Sequence, residues 1–201
     1  AADEAYQKKI NVRMVATIDV IKQAKVVPQP LVILGIGEGL VSHLFASQGG
    51  HVVAYDDRQG HIAFANKCVS NQKYPGKRPE FKLISDDGTI DMPDASVDQI
   101  LIDRLLERYP NPTVILKEAA RILKPGGFMV VISDRKPLST NEDPSDPATF
   151  VKLMTTERHF LWLELVNLVK AAGNGDLDLA IDIFKDDLSR DMVLIVRRSE
   201  K

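Results

Sequence analysis

Cysteine is all but missing from this 201-residue chain, in which Cys68 stands alone. One thiol excludes an internal disulfide framework and a cysteine-ligated zinc centre, and it fits a reducing, cytoplasmic setting. Cys68 falls in a helical pattern and reads as core filler rather than nucleophile. An excess of either charge is missing as well. The formal net charge is -2 with a pI near 6.1, and the 26 Lys and Arg are scattered, so no footprint for nucleic acid is expected. Apolar runs are too short for a membrane span, and the most apolar stretch, 160–169, is broken by Glu164 and Asn167. Internal repeats and low-complexity segments are absent. The chain opens on Ala1 instead of methionine, so a trimmed N-terminus is expected and an export signal stays open beside the cytoplasmic reading.

What is present is enough apolar residue, 44%, for a sizeable core, and a rhythm of short strands and helices. Ile10, Met14, Ile18 and Ile21 predict an N-terminal helix that Pro28 and Pro30 end. Leu31–Leu34 and Val52–Tyr55 read as buried strands, with a helix between them carrying Val41, Leu44 and Phe45. Ile62, Phe64, Ala65 and Val69 predict a second crossover helix, followed by strands at 81–84 and 97–102. Asn111-Pro112 reads as a cap and first turn of a helix through Leu123, stopped by Lys124-Pro125-Gly126-Gly127, and 128–132 as a fifth buried strand. Residues 134–147, rich in Pro, Ser, Asn and Asp, read as a lid or substrate loop; 150–172 as a long helix; 177–184 and 192–196 as an antiparallel hairpin at the sheet edge. The expectation is one α/β domain: N-terminal helix 1–30, cofactor-binding core 31–132, and lid, helix and hairpin 133–201.

The chemistry concentrates at Gly35, Gly37 and Gly39, a sharp turn between a buried strand and a helix, and at Asp56, which ends the next strand about twenty residues on from the first glycine. Nucleoside-binding folds place their ribose acceptor there. The dinucleotide fingerprint needs a glycine at position 40, where this chain has Leu40, so NAD and its pyrophosphate are disfavoured. The shorter G-x-G-x-G form lets the backbone approach a compact ligand, and Glu38, Asp56 and Asp57 supply negative potential. S-adenosylmethionine, with a sulfonium and an ammonium, suits such a site.

Together with MPDASVDQILI and YPNPTVILKEAARILKPGGFMVVI, these stretches resemble the class I S-adenosylmethionine-dependent methyltransferases, most of all the branch of quinone-biosynthesis and small-molecule enzymes. The likeness runs over roughly 30–132. It implies a Rossmann-like, doubly wound, mostly parallel seven-stranded sheet with an antiparallel C-terminal hairpin, and a ligand across the carboxyl ends of the strands. Carried over by position, Gly35, Ile36, Gly37 and Gly39 would wrap the methionine moiety, Asp56 would accept both ribose hydroxyls, and Asp57 would follow at the adenine edge. Asp86 and Asp87 fall where the family reads the adenine ring, and read equally as a solvated loop pair. Asp103 ends the fourth strand beside the expected methyl group, where its role would be to orient the acceptor or take its proton; a cap for the following segment is an equal reading.

Three family features are missing. Ile33 stands where an acidic residue commonly precedes the glycines, Glu107-Arg108 stands where many relatives carry a histidine pair, and no N-P-P-Y type sequence follows the fourth strand. His43, His51, His61 and His159 read as structural or surface residues. Asp103 and Asp134 are too few for a metal site, with Arg135 where a third oxygen would be wanted, and no metal is expected. The expected function is methyl transfer to a small-molecule partner. The alternative is a methyltransferase-like binding or scaffold protein without turnover. The oligomeric state is not legible.

Overall fold

The computed structural model describes residues 30–134, 162–184 and 191–200. The predicted N-terminal helix, the lid loop and the first part of the long helix lie outside them.

Strand β1 (Leu31–Leu34) is buried at every position, as a central strand covered on both faces must be. Its residues alternate between two cores. Val32 and Leu34 join one with Val53, Tyr55, Ile100 and Ile102; Leu31 and Ile33 join the other with Val52, Ala54 and Leu101. Helix α1 (Leu40–Ser47), strand β2 (Val52–Asp56), helix α2 (Gln59–Val69) and strand β3 (Glu80–Leu83) follow. Then come strand β4 (Val97–Asp103), helix α3 (Pro112–Ile122) and strand β5 (Leu123–Asp134). Helix α4 (Trp162–Ala172) and strands β6 (Leu177–Phe184) and β7 (Asp191–Arg198) complete the described elements. Helix α3 begins with Pro112 in its first turn and buries Ile115, Leu116, Ala119 and Ile122, a single apolar stripe. It shares the Val32 core with Leu165, Val166 and Val169 of α4, whereas Ile62 and Ala65 of α2 close the opposite face.

Among the described residues the sheet has seven strands in the order β3-β2-β1-β4-β5-β7-β6. The five from β3 to β5 run parallel, and β7 is antiparallel to both β5 and β6. The order reverses between β1 and β4, where Leu34 lies opposite Ile102, and the crevice beyond their carboxyl ends is the ligand-binding position of such sheets.

Local expectations differ from this structure at several points. Phe64 is 51% exposed and Cys68 is exposed too, because α2 buries only the stripe Ile62, Ala65 and Val69. Helix α1 buries Ser42 and Ala46, with Val41 and Phe45 packed at the margin of the core and Leu44 off the stripe. The Lys124-Gly127 stretch belongs to β5, whose Leu123 pairs with Val97 before the register shifts to Gln99 opposite Phe128. The antiparallel C-terminal pair falls at the end of the sheet as expected, with β7 against β5 and β6 outermost.

Candidate active site at the sheet switch point

The glycine turn is shaped by close approach. Gly35 has φ of 101°, and a Cβ there would sit 2.2 Å from the Asp103 carbonyl oxygen, so β1 and β4 meet at their carboxyl ends with no room for a side chain. Gly39 faces Ala65 of α2 with the same lack of room, a Cβ falling 2.8 Å from the alanine methyl. Gly37 differs: a Cβ there would meet nothing within 4 Å. Its backbone borders open space, which is the property a loop needs to let a ligand approach.

Asp56 ends β2 and is completely buried. Among the described residues its carboxylate receives the backbone N–H of Ile36 at 2.7 Å and that of Arg58 at 3.0 Å, which ties the glycine turn to the start of α2. His61 Nδ1 lies 3.0 Å from Oδ1. The Arg108 guanidinium donates to both oxygens, at 3.2 and 2.8 Å, and its other contact is with Asp57. Its side chain is only 6% exposed. A carboxylate has about four lone-pair sites, so Asp56 is saturated in this arrangement.

The remaining candidates sit around this centre. Ile36 is buried against the α1 and α2 face, as is Ile33, an apolar side chain in an apolar core. Asp86 and Asp87 are exposed in the turn after β3, and Asp87 Oδ1 accepts the Thr89 N–H at 2.9 Å. That bond and one from the Thr89 side chain hold the Asp87 carboxyl below its ordinary range. Asp103 is partly buried, and Arg104, at φ of 49°, turns back to bond its Oδ1 at 3.0 Å. Tyr109 was not singled out in the sequence. Its hydroxyl lies 3.1 Å from where a Cβ on Gly88 would sit, beside the candidate adenine residues, and its phenol is pushed up by burial and then by the negative charges of Asp87 and Asp86. Glu107 is buried in the same turn. His43 pairs with Tyr74 at 2.8 Å and His51 with Glu80 at 3.4 Å, both away from the crevice. No cluster of three or more His, Cys, Asp or Glu that could hold a metal occurs among the described residues. No described helix is long and apolar enough to cross a membrane.

Residues 32–131, which contain every one of these groups, match the family model described as a methyltransferase domain. The chain belongs to the class I S-adenosylmethionine-dependent methyltransferase family. A ubiquinone biosynthesis O-methyltransferase of Maricaulis maris is 30% identical over 97 residues, covering 48% of this chain and 37% of that protein, so the likeness spans well under half of the relative's length. The methyltransferase fold is shared more widely. A SAM-dependent methyltransferase from Methanosarcina mazei superposes with TM-score 0.65 at 20% identity, over 86% of this chain and 93% of the other. Magnesium protoporphyrin IX methyltransferase from Synechocystis, solved with bound SAH, does so with TM-score 0.70 at 14% identity, over 93% and 82%. Within this family the Arg108 bridge to Asp56 is what the sequence reading missed: it counted Arg108 as an absent histidine. The available signal was the adjacent pair Asp56-Asp57 at a buried strand end, which demands a cation.

Proposed function

We propose that this chain is an S-adenosylmethionine-dependent methyltransferase acting on a small-molecule acceptor. The observation that carries the reading is the meeting of the Gly35 backbone with the Asp103 carbonyl at the switch point, with Ile36 N–H anchored on the Asp56 carboxylate. That arrangement supports reading the glycine loop, Asp56 and Asp103 as the parts of one site.

The residues present fit the cofactor, which when bound supplies a methyl group on a positively charged sulfur. Gly37, with no neighbour where its Cβ would be, leaves the backbone accessible to the methionine end. Gly35, Ile36 and Gly39 shape that loop, Asp56 would take the ribose hydroxyls once a side-chain donor yields, and Asp57, Asp86 and Asp87 would line the adenine side. Asp103 would orient the acceptor or take its proton. Its place at the carboxyl end of β4, beside the Gly35 turn, is what supports that role. Alignment of the acceptor with the methyl carbon carries most of the catalysis in such a site.

A second reading, a methyltransferase-like binding protein without turnover, is supported by Ile33 in place of the usual acidic residue and by Glu107-Arg108 in place of a histidine base. Calorimetry with S-adenosylmethionine, its demethylated product S-adenosylhomocysteine and NAD tests the assignment. Binding of the adenosyl ligands is expected, weakened by about 1.5–3 kcal/mol in Asp56→Ala, the range for hydrogen bonds to a charged group. Binding of NAD and neither adenosyl ligand would overturn it. Methyl release to a panel of phenolic and other small acceptors separates the two readings, since the enzyme turns over and the binding protein does not.

A further inference from the structure

Arg108 reaches Asp56 from across the crevice, from the turn of residues 104–109 that follows β4. Of the donors on Asp56, the amides of Ile36 and Arg58 are built into the glycine turn and the entry to α2 and cannot leave without unfolding them, and His61 meets Oδ1 alone, so among the described side chains Arg108 is the one that spans both oxygens. The Arg108 fork can leave, by movement of the turn that carries it, whose Arg108 and Tyr109 amides are held on Leu105 O. It offers two hydrogens to the two oxygens of one carboxylate, which is what the vicinal hydroxyls of a ribose would offer. The bridge is well sheltered, and it neutralises a buried charge that would be costly alone.

We propose that Arg108 is an internal stand-in for the ribose diol, a latch that a nucleoside ligand must displace. The proposal rests on the adenosyl reading above. Displacement couples the two sides of the crevice, because the 104–109 turn begins immediately after Asp103 and is held by Arg104 N–H on Ile132 O at 3.0 Å and by Tyr109 N–H on Leu105 O at 3.0 Å. Ligand entry at Asp56 and rearrangement of the acceptor side are then one event, and the adenosyl ligand binds before the acceptor. Asp57, the second carboxylate on the guanidinium, retains Arg108 near the mouth once Asp56 is given up.

Hydrogen exchange on the wild-type protein with and without S-adenosylhomocysteine tests the latch directly. Protection of the Arg108 and Tyr109 amides is expected to fall when the ligand binds. Unchanged or increased protection, with binding demonstrated, overturns the latch and leaves the cofactor assignment standing. Calorimetry adds an independent arm. Folded Arg108→Met is expected to bind S-adenosylhomocysteine about tenfold more tightly than wild type, because the binding-competent form no longer competes with the bridge, and Arg108→Lys to fall between. Equal or weaker binding by Arg108→Met overturns the latch. Failure of wild type and both variants to bind is a different result and removes the cofactor reading together with the proposal.

Discussion

Two glycines two positions apart, Gly35 and Gly37, do different work in the same turn. Gly35 has no space for a methyl group against the Asp103 carbonyl, so Gly35→Ala forces β1 and β4 apart as well as straining φ. It is expected to cost at least about 2 kcal/mol in urea unfolding. Gly37 has φ of 53° and nothing nearby, so Gly37→Ala carries backbone strain alone, about 1 kcal/mol, while its methyl group enters the ligand space. A stable Gly37→Ala with weakened adenosyl binding is the expected pair of results; equal destabilisation of the two variants would show that the packing argument is wrong. Tyr55 supplies a pH test of the neighbouring core. Its ring is fully buried, its hydroxyl donates to Asp91 O at 2.9 Å, and burial, then the charges of Asp91 and Glu80, push the phenol up to about 12. An unfolded tyrosine ionises near 10. Below that pH both states keep the proton and the contribution is complete; above it the unfolded state releases the proton first, so stability falls as pH rises from about 10 towards 12. Measured across that interval, the stability difference between wild type and Tyr55→Phe is expected to shrink, and a constant difference would sink the assignment.

Helix α3 shows how far patterns in the chain predict an element. Pro112 and the stripe from Ile115 to Ile122 were readable because a first-turn proline and a helical apolar period each have one physical meaning. What fastens the helix was not readable, since it depends on carbonyls that only the fold brings near. Arg121 donates to Ile90 O at 3.0 Å, Met92 O at 2.9 Å, Asp94 and Glu118, and Glu118 in turn accepts the Ile90 N–H at 3.0 Å. The Arg121 bond holds the Glu118 carboxyl below its ordinary range. Arg121→Met is therefore expected to lower stability by about 2 kcal/mol at neutral pH, and by less in acid, because a depressed carboxylate loses its contribution as pH falls; urea titrations at pH 7 and pH 3.5 compare the two. The candidate site divides in the same way. The glycine turn and Asp56 were visible as local spacing. Arg108 and Tyr109 were hidden because their partners lie in other segments, and Phe64 was misread because an apolar residue beside a stripe looks much like one on it.

At the scale of the molecule, one side chain joins the C-terminal strand to the central helix layer. Arg198, near the end of β7, donates to Ala120 O at 2.9 Å and also meets the Arg121 and Leu123 carbonyls, placing a cation on the unsatisfied end of α3. Arg198→Met is expected to lower stability by about 1.5 kcal/mol, read by urea unfolding, and no loss would mean that water serves those carbonyls equally well. Strand β7 has a further consequence, which concerns time. It lies between β5 and β6, yet it follows both in the chain. As the polypeptide leaves the ribosome, β5 emerges with an unpaired flank and β6 emerges before the only strand it will pair with among those described. Until β7 is made, an apolar strand edge stays open to other chains. The risk of aggregation for this protein is therefore concentrated in the interval between synthesis of β5 and synthesis of β7, and slow translation through residues 134–191 would lengthen it.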